Sequence, residues 1–135
     1  MKLTMFKIIS LIIIFITAAS FTFFGGQKPW IVPDKYNKMV NPVNSDETSL
    51  KAGKAIWIKH CQSCHGKQGK GDGSKAAELD TEPGDFTKGS TQSQTDGALF
   101  YKTTEGREDM PSFKKKIPDE EDIWNVINYV RTFKK

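Results

Sequence analysis

Six consecutive residues, His60-Cys61-Gln62-Ser63-Cys64-His65, hold both cysteines and both histidines of a 135-residue chain. That clustering constrains the fold more than any other feature. Cys-x-x-Cys-His is the pattern of a c-type haem attachment site, in which two thiols add across the two haem vinyl groups and the adjacent imidazole meets the iron. Two thioether bonds would clamp one porphyrin edge to the backbone and set the face from which His65 approaches. Three other readings use the same residues. A thioredoxin-type dithiol sits at a strand-to-helix junction of a βαβ unit, and no strand-helix alternation surrounds Cys61. Zinc normally takes four tetrahedral ligands from two separate pairs, whereas all four candidates here crowd into one turn. A structural disulfide suits an exported chain but leaves His65 without a role.

The length allows one domain with tails and room for one modest core. Residues 1–26 read as a leader outside the fold. Lys2 and Lys7 form a positive start, residues 8–16 are apolar, and Thr17-Ala18-Ala19-Ser20 offers a cleavage site. Phe21, Phe23 and Phe24 prolong the apolar stretch to residue 24, near the lower length for crossing a bilayer, so the segment is either a cleaved signal peptide or a membrane anchor. Both versions place the domain in the periplasm or on the outer face of the cytoplasmic membrane, where c-type haem is attached. The net charge of +4 includes the two leader lysines, and no basic run interleaved with aromatics occurs, so nucleic acid is not an expected partner.

Residues 27–48 are polar and interrupted by Pro29, Pro33 and Pro42, which disfavour a regular helix and suggest an extension or linker. Trp30, Ile31, Val32, Tyr36 and Met39 are too apolar for a purely solvated tether, so part of the segment is expected to lie across the domain. Residues 49–135 form the domain proper. A helix should start with Thr48 or Ser49 as N-cap, carry Ala52, Ala55, Ile56, Trp57 and Lys59, and end at Cys61. Gly53 inside it costs about 1 kcal/mol against alanine and so implies close approach of another helix. The glycine-rich run 66–73 lacks the context of a phosphate-binding loop and reads as a loop around the haem edge. A short turn is expected at 75–79, then a helix over 96–103 capped by Asp96 and ended by Gly106. The last helix follows Pro118, with an acidic first turn, a basic last turn, an inner face of Ile123, Val126, Ile127 and Val130, and Trp124 and Tyr129 flanking it. No convincing strand appears, and the expected fold class is all-α.

From residue 49 to 133 the sequence resembles the class I monohaem cytochromes c. The resemblance rests on Cys61-Gln62-Ser63-Cys64-His65-Gly66 followed by Gly69, Gly71 and Gly73, on Pro83-Gly84-Asp85-Phe86-Thr87, and on Asp109-Met110-Pro111-Ser112-Phe113. Gly53 and Trp57 look like the family's pair on the first helix, with Val126 and Tyr129 as their counterparts on the last. The likeness implies three to five helices wrapped around one haem c, held through Cys61 and Cys64. It also implies an iron with His65 on one side and a methionine sulfur on the other. Met1 and Met5 lie in the leader and Met39 in the extension, which leaves Met110; His60, on the wrong side of the clamp, reads as a surface residue. Relatives often carry proline after Gly-Asp-Gly, where a carbonyl receives the proximal imidazole N–H, but this chain has Ser74.

With both axial positions filled, the implied role is one-electron transfer between redox protein partners, with no catalytic residue. Leu79, Phe86, Leu99, Phe113 and Ile127 are expected around the ring, and thioether sulfur together with burial would raise the potential. Two alternatives stand beside the carrier. The chain would be a haem enzyme or a gas- or peroxide-reactive domain if Met110 did not ligate, or else a fixed electron-transfer subunit of a membrane oxidoreductase. Lys67, Lys70, Lys114, Lys115 and Lys116 are expected to ring the exposed haem edge.

Overall fold

The structure, a computed structural model, describes residues 28–135. The leader, with its apolar stretch over residues 8–24, lies outside the described residues. In chain order the elements are α1 (Asp34–Asn37), α2 (Glu47–His60), α3 (Gln62–His65), a 3-10 turn (Ala76–Glu78), α4 (Gly89–Gln92), α5 (Asp96–Glu105) and α6 (Glu120–Arg131). The fold is all-α. Among the described residues the extended backbone pairs only at an isolated bridge between Arg107 and Met110, and no helix is long and apolar enough to cross a membrane.

The three long helices start where a side chain can satisfy their first free N–H groups, and two of the caps differ from expectation. On α2 the cap is Asp46, whose carboxylate accepts from the Ser49 N–H at 2.9 Å. Ser49 is unavailable as a cap because its buried hydroxyl accepts from Asn128 Nδ2 at 2.9 Å. On α5 the cap is Thr95, bonded to the Ala98 N–H. Asp96, the expected cap, instead takes Arg131 Nη2 at 2.6 Å and Nε at 2.8 Å, tying the start of α5 to the end of α6. Asp119 caps α6, and the acidic first turn and Arg131 in the last turn match the helix dipole.

The core is built on α6. Ile123, Val126, Ile127 and Val130 join Trp57, Leu99, Phe100, Phe113 and Ile117 in one buried cluster. Trp124 was expected at the flank, yet it is buried and stacked on Phe100 with centroids 4.3 Å apart. Asn125 and Asn128 are buried as well, so α6 is enclosed on more than one face. The chain before α2 encloses it: Asn41 Nδ2 donates to Asn128 Oδ1 at 2.8 Å, and Asn128 Nδ2 reaches the Val43 carbonyl at 3.1 Å. Tyr36, Met39 and Val43 pack on the core cluster, and Tyr36 lies against the Tyr101 ring at 4.7 Å. Residues 28–46 thus form a strap over α5 and α6. Pro33 does not prevent helix there but precedes α1 at its N-cap, where no intrahelical N–H is required. Ile31 and Val40 are the exceptions among the apolar strap residues, each being 83% exposed.

Helices α2 and α6 cross at Gly53. A methyl group there would overlap the Asn125 carbonyl and stand 2.9 Å from Tyr129 Cβ, while Val126 shares the buried cluster with Trp57. Gly53→Ala should destabilise the protein by about 2 kcal/mol or more despite alanine's better helix propensity, because separating two packed helices outweighs that gain. Thermal unfolding of the haem-loaded protein checks this, and equal midpoints for variant and wild type would contradict so close a crossing.

Candidate functional site

The attachment motif occupies the end of α2 and the single turn of α3. Cys61 closes α2 through its N–H to the Trp57 carbonyl at 2.9 Å, and its own carbonyl accepts from the His65 N–H at 2.9 Å. Cys61, Cys64 and His65 therefore project from consecutive turns of nearly continuous helix. The glycine loop then folds back over them. Gly71 N–H donates to the His65 carbonyl at 2.9 Å, Gly73 N–H to the Cys64 carbonyl at 3.1 Å, and Lys75 N–H to the Ser63 carbonyl at 2.8 Å. Gly73 lies so close to the motif that a Cβ would stand 2.6 Å from the Cys64 carbonyl carbon, which explains a glycine at this position.

Trp57 fixes the other side. Its Nε1 donates to the Gly66 carbonyl at 3.2 Å in a buried bond, and its ring lies 5.8 Å from the His65 ring and 5.5 Å from Phe86. Phe86 approaches His65 at 4.9 Å and is held by its N–H to the Gly69 carbonyl. The Trp57 hydrogen bond was not legible from the sequence, where Trp57 reads as a packing residue. Burial pushes the His65 imidazole below its ordinary pKa, and the Gly84 carbonyl partly opposes this by favouring the protonated ring. No hydrogen bond of good geometry reaches Nδ1, which is buried without a partner.

Cys61 and Cys64 are free and half-buried, not joined to each other. Burial, reinforced by the neighbouring Cys64, pushes the Cys61 thiol up to about 12. Two unpaired thiols and an imidazole with an orphaned buried nitrogen, set among aromatic rings, fit the attachment of a haem; Cys61 and Cys64 would hold it and His65 would ligate it.

Met110 stands in a tight hairpin after α5. Its N–H and carbonyl exchange bonds with Arg107 at 3.0 and 2.8 Å across Glu108, whose φ of 54° is left-handed. Both Met110 and Cys61 pack against the core cluster, as does Phe86. Leu99, Phe113 and Ile127 belong to that cluster, whereas Leu79 is only half-buried and outside it. His60, expected at the surface, is half-buried with its ring 6.1 Å from Phe113. Burial, then Lys59 and Lys116, hold its pKa below the ordinary value. The lysine run is less uniform than expected. Lys114 is paired with Glu105, Lys116 lies over the Phe113 ring, and Lys115, Lys67 and Lys70 are exposed.

Residues 48–130 match the family of cytochrome c oxidase, cbb3-type, subunit III. The chain belongs to this family. It is a c-type cytochrome domain, and as such a haem-based electron-transfer protein with an all-α cytochrome c fold. Among solved structures it is similar to a chain of the Kuenenia stuttgartiensis reducing HAO-like protein complex Kustc0457/Kustc0458, with 28% identity, a TM-score of 0.64, and coverage of 83% of this chain and 54% of that one. This cytochrome therefore spans about half the length of that neighbour. It is also similar to the c-type cytochrome KustC0563, at 27% identity and a TM-score of 0.54, covering 62% of this chain and 98% of the other. No curated protein matches the chain.

Proposed function

We propose that this cytochrome is a one-electron carrier that holds one haem c through Cys61 and Cys64, with His65 and Met110 as axial ligands, in an extracytoplasmic electron-transfer chain. The observation that carries the reading is the turn bearing two free thiols and the half-buried His65 imidazole, whose ring is flanked by Trp57 and Phe86. Bound haem supplies the ferric–ferrous couple. The protein's part is to hold and tune. The loop bonds to the His65, Cys64 and Ser63 carbonyls keep the motif rigid, Trp57 and Phe86 flank the imidazole, and the apolar core excludes water from that side. Such a site changes little between oxidation states, which fast one-electron exchange requires. The leader, as a signal peptide or as an anchor over residues 8–24, supports export to the periplasm or to the outer face of the cytoplasmic membrane.

A pyridine haemochrome spectrum of the purified protein should show one covalent c-type haem per chain, and the ferric spectrum should carry the weak red-end band of a sulfur–iron bond. Acid-acetone extraction that removes all haem would end the proposal. A fixed subunit of a redox complex is a second reading, favoured by the oxidase-subunit family and by a neighbour that works within a complex. Its donor and acceptor would be other redox proteins. The size of the native particle decides between the two.

A further inference from the structure

The strap begins with an arrangement that packing alone does not require. Trp30 offers its ring to two cations, with Arg107 Cζ 4.7 Å and Lys102 Nζ 5.4 Å from the centroid. Arg107 Nη1 also donates to the Lys28 carbonyl at 2.9 Å. Like charges so close repel each other, and burial together with Arg107 holds the Lys102 pKa below its ordinary value. The indole face offsets that repulsion and, with the Glu108 carboxylate 3.8 Å from Arg107 Nε, keeps Arg107 where it stands.

Arg107 is also the hairpin partner of Met110, through the two reciprocal main-chain bonds. On the far side of the same hairpin, Thr81 N–H donates to Asp109 Oδ2 at 2.8 Å and Thr81 Oγ1 to Glu108 Oε2 at 3.1 Å. The hairpin is therefore gripped from two directions, by the loop at Thr81 and by the strap. The rest of the strap is fastened independently through Tyr36, Asn41 and Val43. Releasing Trp30 would loosen the strap's grip on the hairpin, leaving that of Thr81, without undoing the core.

We infer that residues 28–30 are a latch on the ligand hairpin, and that Trp30, acting through Arg107, is a positioning residue for the Met110 sulfur. The inference rests on the reading of Met110 as the axial ligand. With the latch closed, the hairpin presents Met110 rigidly; with it open, Arg107 swings away from Lys102 and the hairpin loosens.

The test uses haem-loaded wild type, Trp30→Ala and Trp30→Phe, the last keeping an aromatic face for the cations. Two readouts are taken: hydrogen exchange at the Arg107 and Met110 amides, and the rate at which imidazole displaces the sulfur ligand of the ferric protein. Trp30→Ala should raise both about tenfold, the loss of a partly buried cation–π contact, while Trp30→Phe stays within about twofold of wild type. Amides of α6 should be unchanged in both variants. Unchanged hairpin exchange in Trp30→Ala, equal acceleration in α6, or faster exchange without faster displacement would each overturn the latch while leaving the ligand in place. A wild-type protein without the sulfur–iron band would remove the ligand itself, and the inference with it.

Discussion

Cys61→Ala and Cys64→Ala should each yield little holoprotein, and what accumulates should be largely unfolded. The buried cluster is small, and Cys61, Phe86 and Met110 stand at its margin, packed against it while remaining partly exposed. A domain of this length buries too little surface to be secure without a staple, and a haem fastened on the core is the staple available. Losing it should cost on the order of 5 kcal/mol, comparable with the whole stability of a domain this size. The measurements are covalent haem per chain and helical content by far-ultraviolet circular dichroism. Single variants that keep covalent haem and wild-type melting would show that the thiols do not fasten the cofactor.

Met110→Ala should change the iron while sparing the fold. A neutral, soft sulfur favours the reduced state, so its loss should lower the potential by on the order of 0.1–0.3 V, leave a high-spin or water-ligated ferric spectrum and open a position for peroxide chemistry. The hairpin itself should survive, because the two bonds that close it run between main-chain atoms of Arg107 and Met110. Redox titration and the ferric red-end band report the change. Wild-type values for both would make Met110 a packing residue and place the sixth ligand elsewhere. Together the cysteine and methionine substitutions separate attachment from ligation, since the former remove the holoprotein and the latter alters only its iron.

Where sequence reading met the fold, it did so wherever the determining interactions are local. Helices α2, α5 and α6 lie where periodicity and breakers put them, and Gly53 marks a helix crossing as its awkward position implied. The misplaced caps share one cause. Ser49 and Asp96 have good capping chemistry, but Asn128 and Arg131 engage them from 79 and 35 residues away, and a residue committed to a distant partner leaves the cap to its neighbour. The apolar residues of the extension, Tyr36 and Met39 among them, were the sequence's hint that this segment lies on the domain, and both pack on the core.

By itself the sequence determined the chemistry on offer: two thiols and an imidazole at a spacing that covalent attachment imposes on contiguous residues, and an all-α scaffold to carry them. Such spacing is a local property and survives any tertiary arrangement. Only the folded structure decided that residues 28–46 strap α5 and α6, that Lys114 is paired with Glu105, and that the Trp30 ring lies against Arg107 of the Met110 hairpin. Each of these joins residues far apart in the chain by a hydrogen bond, a charge or a ring face. Periodicity cannot announce such pairs, because the partners meet only after the core between them has formed.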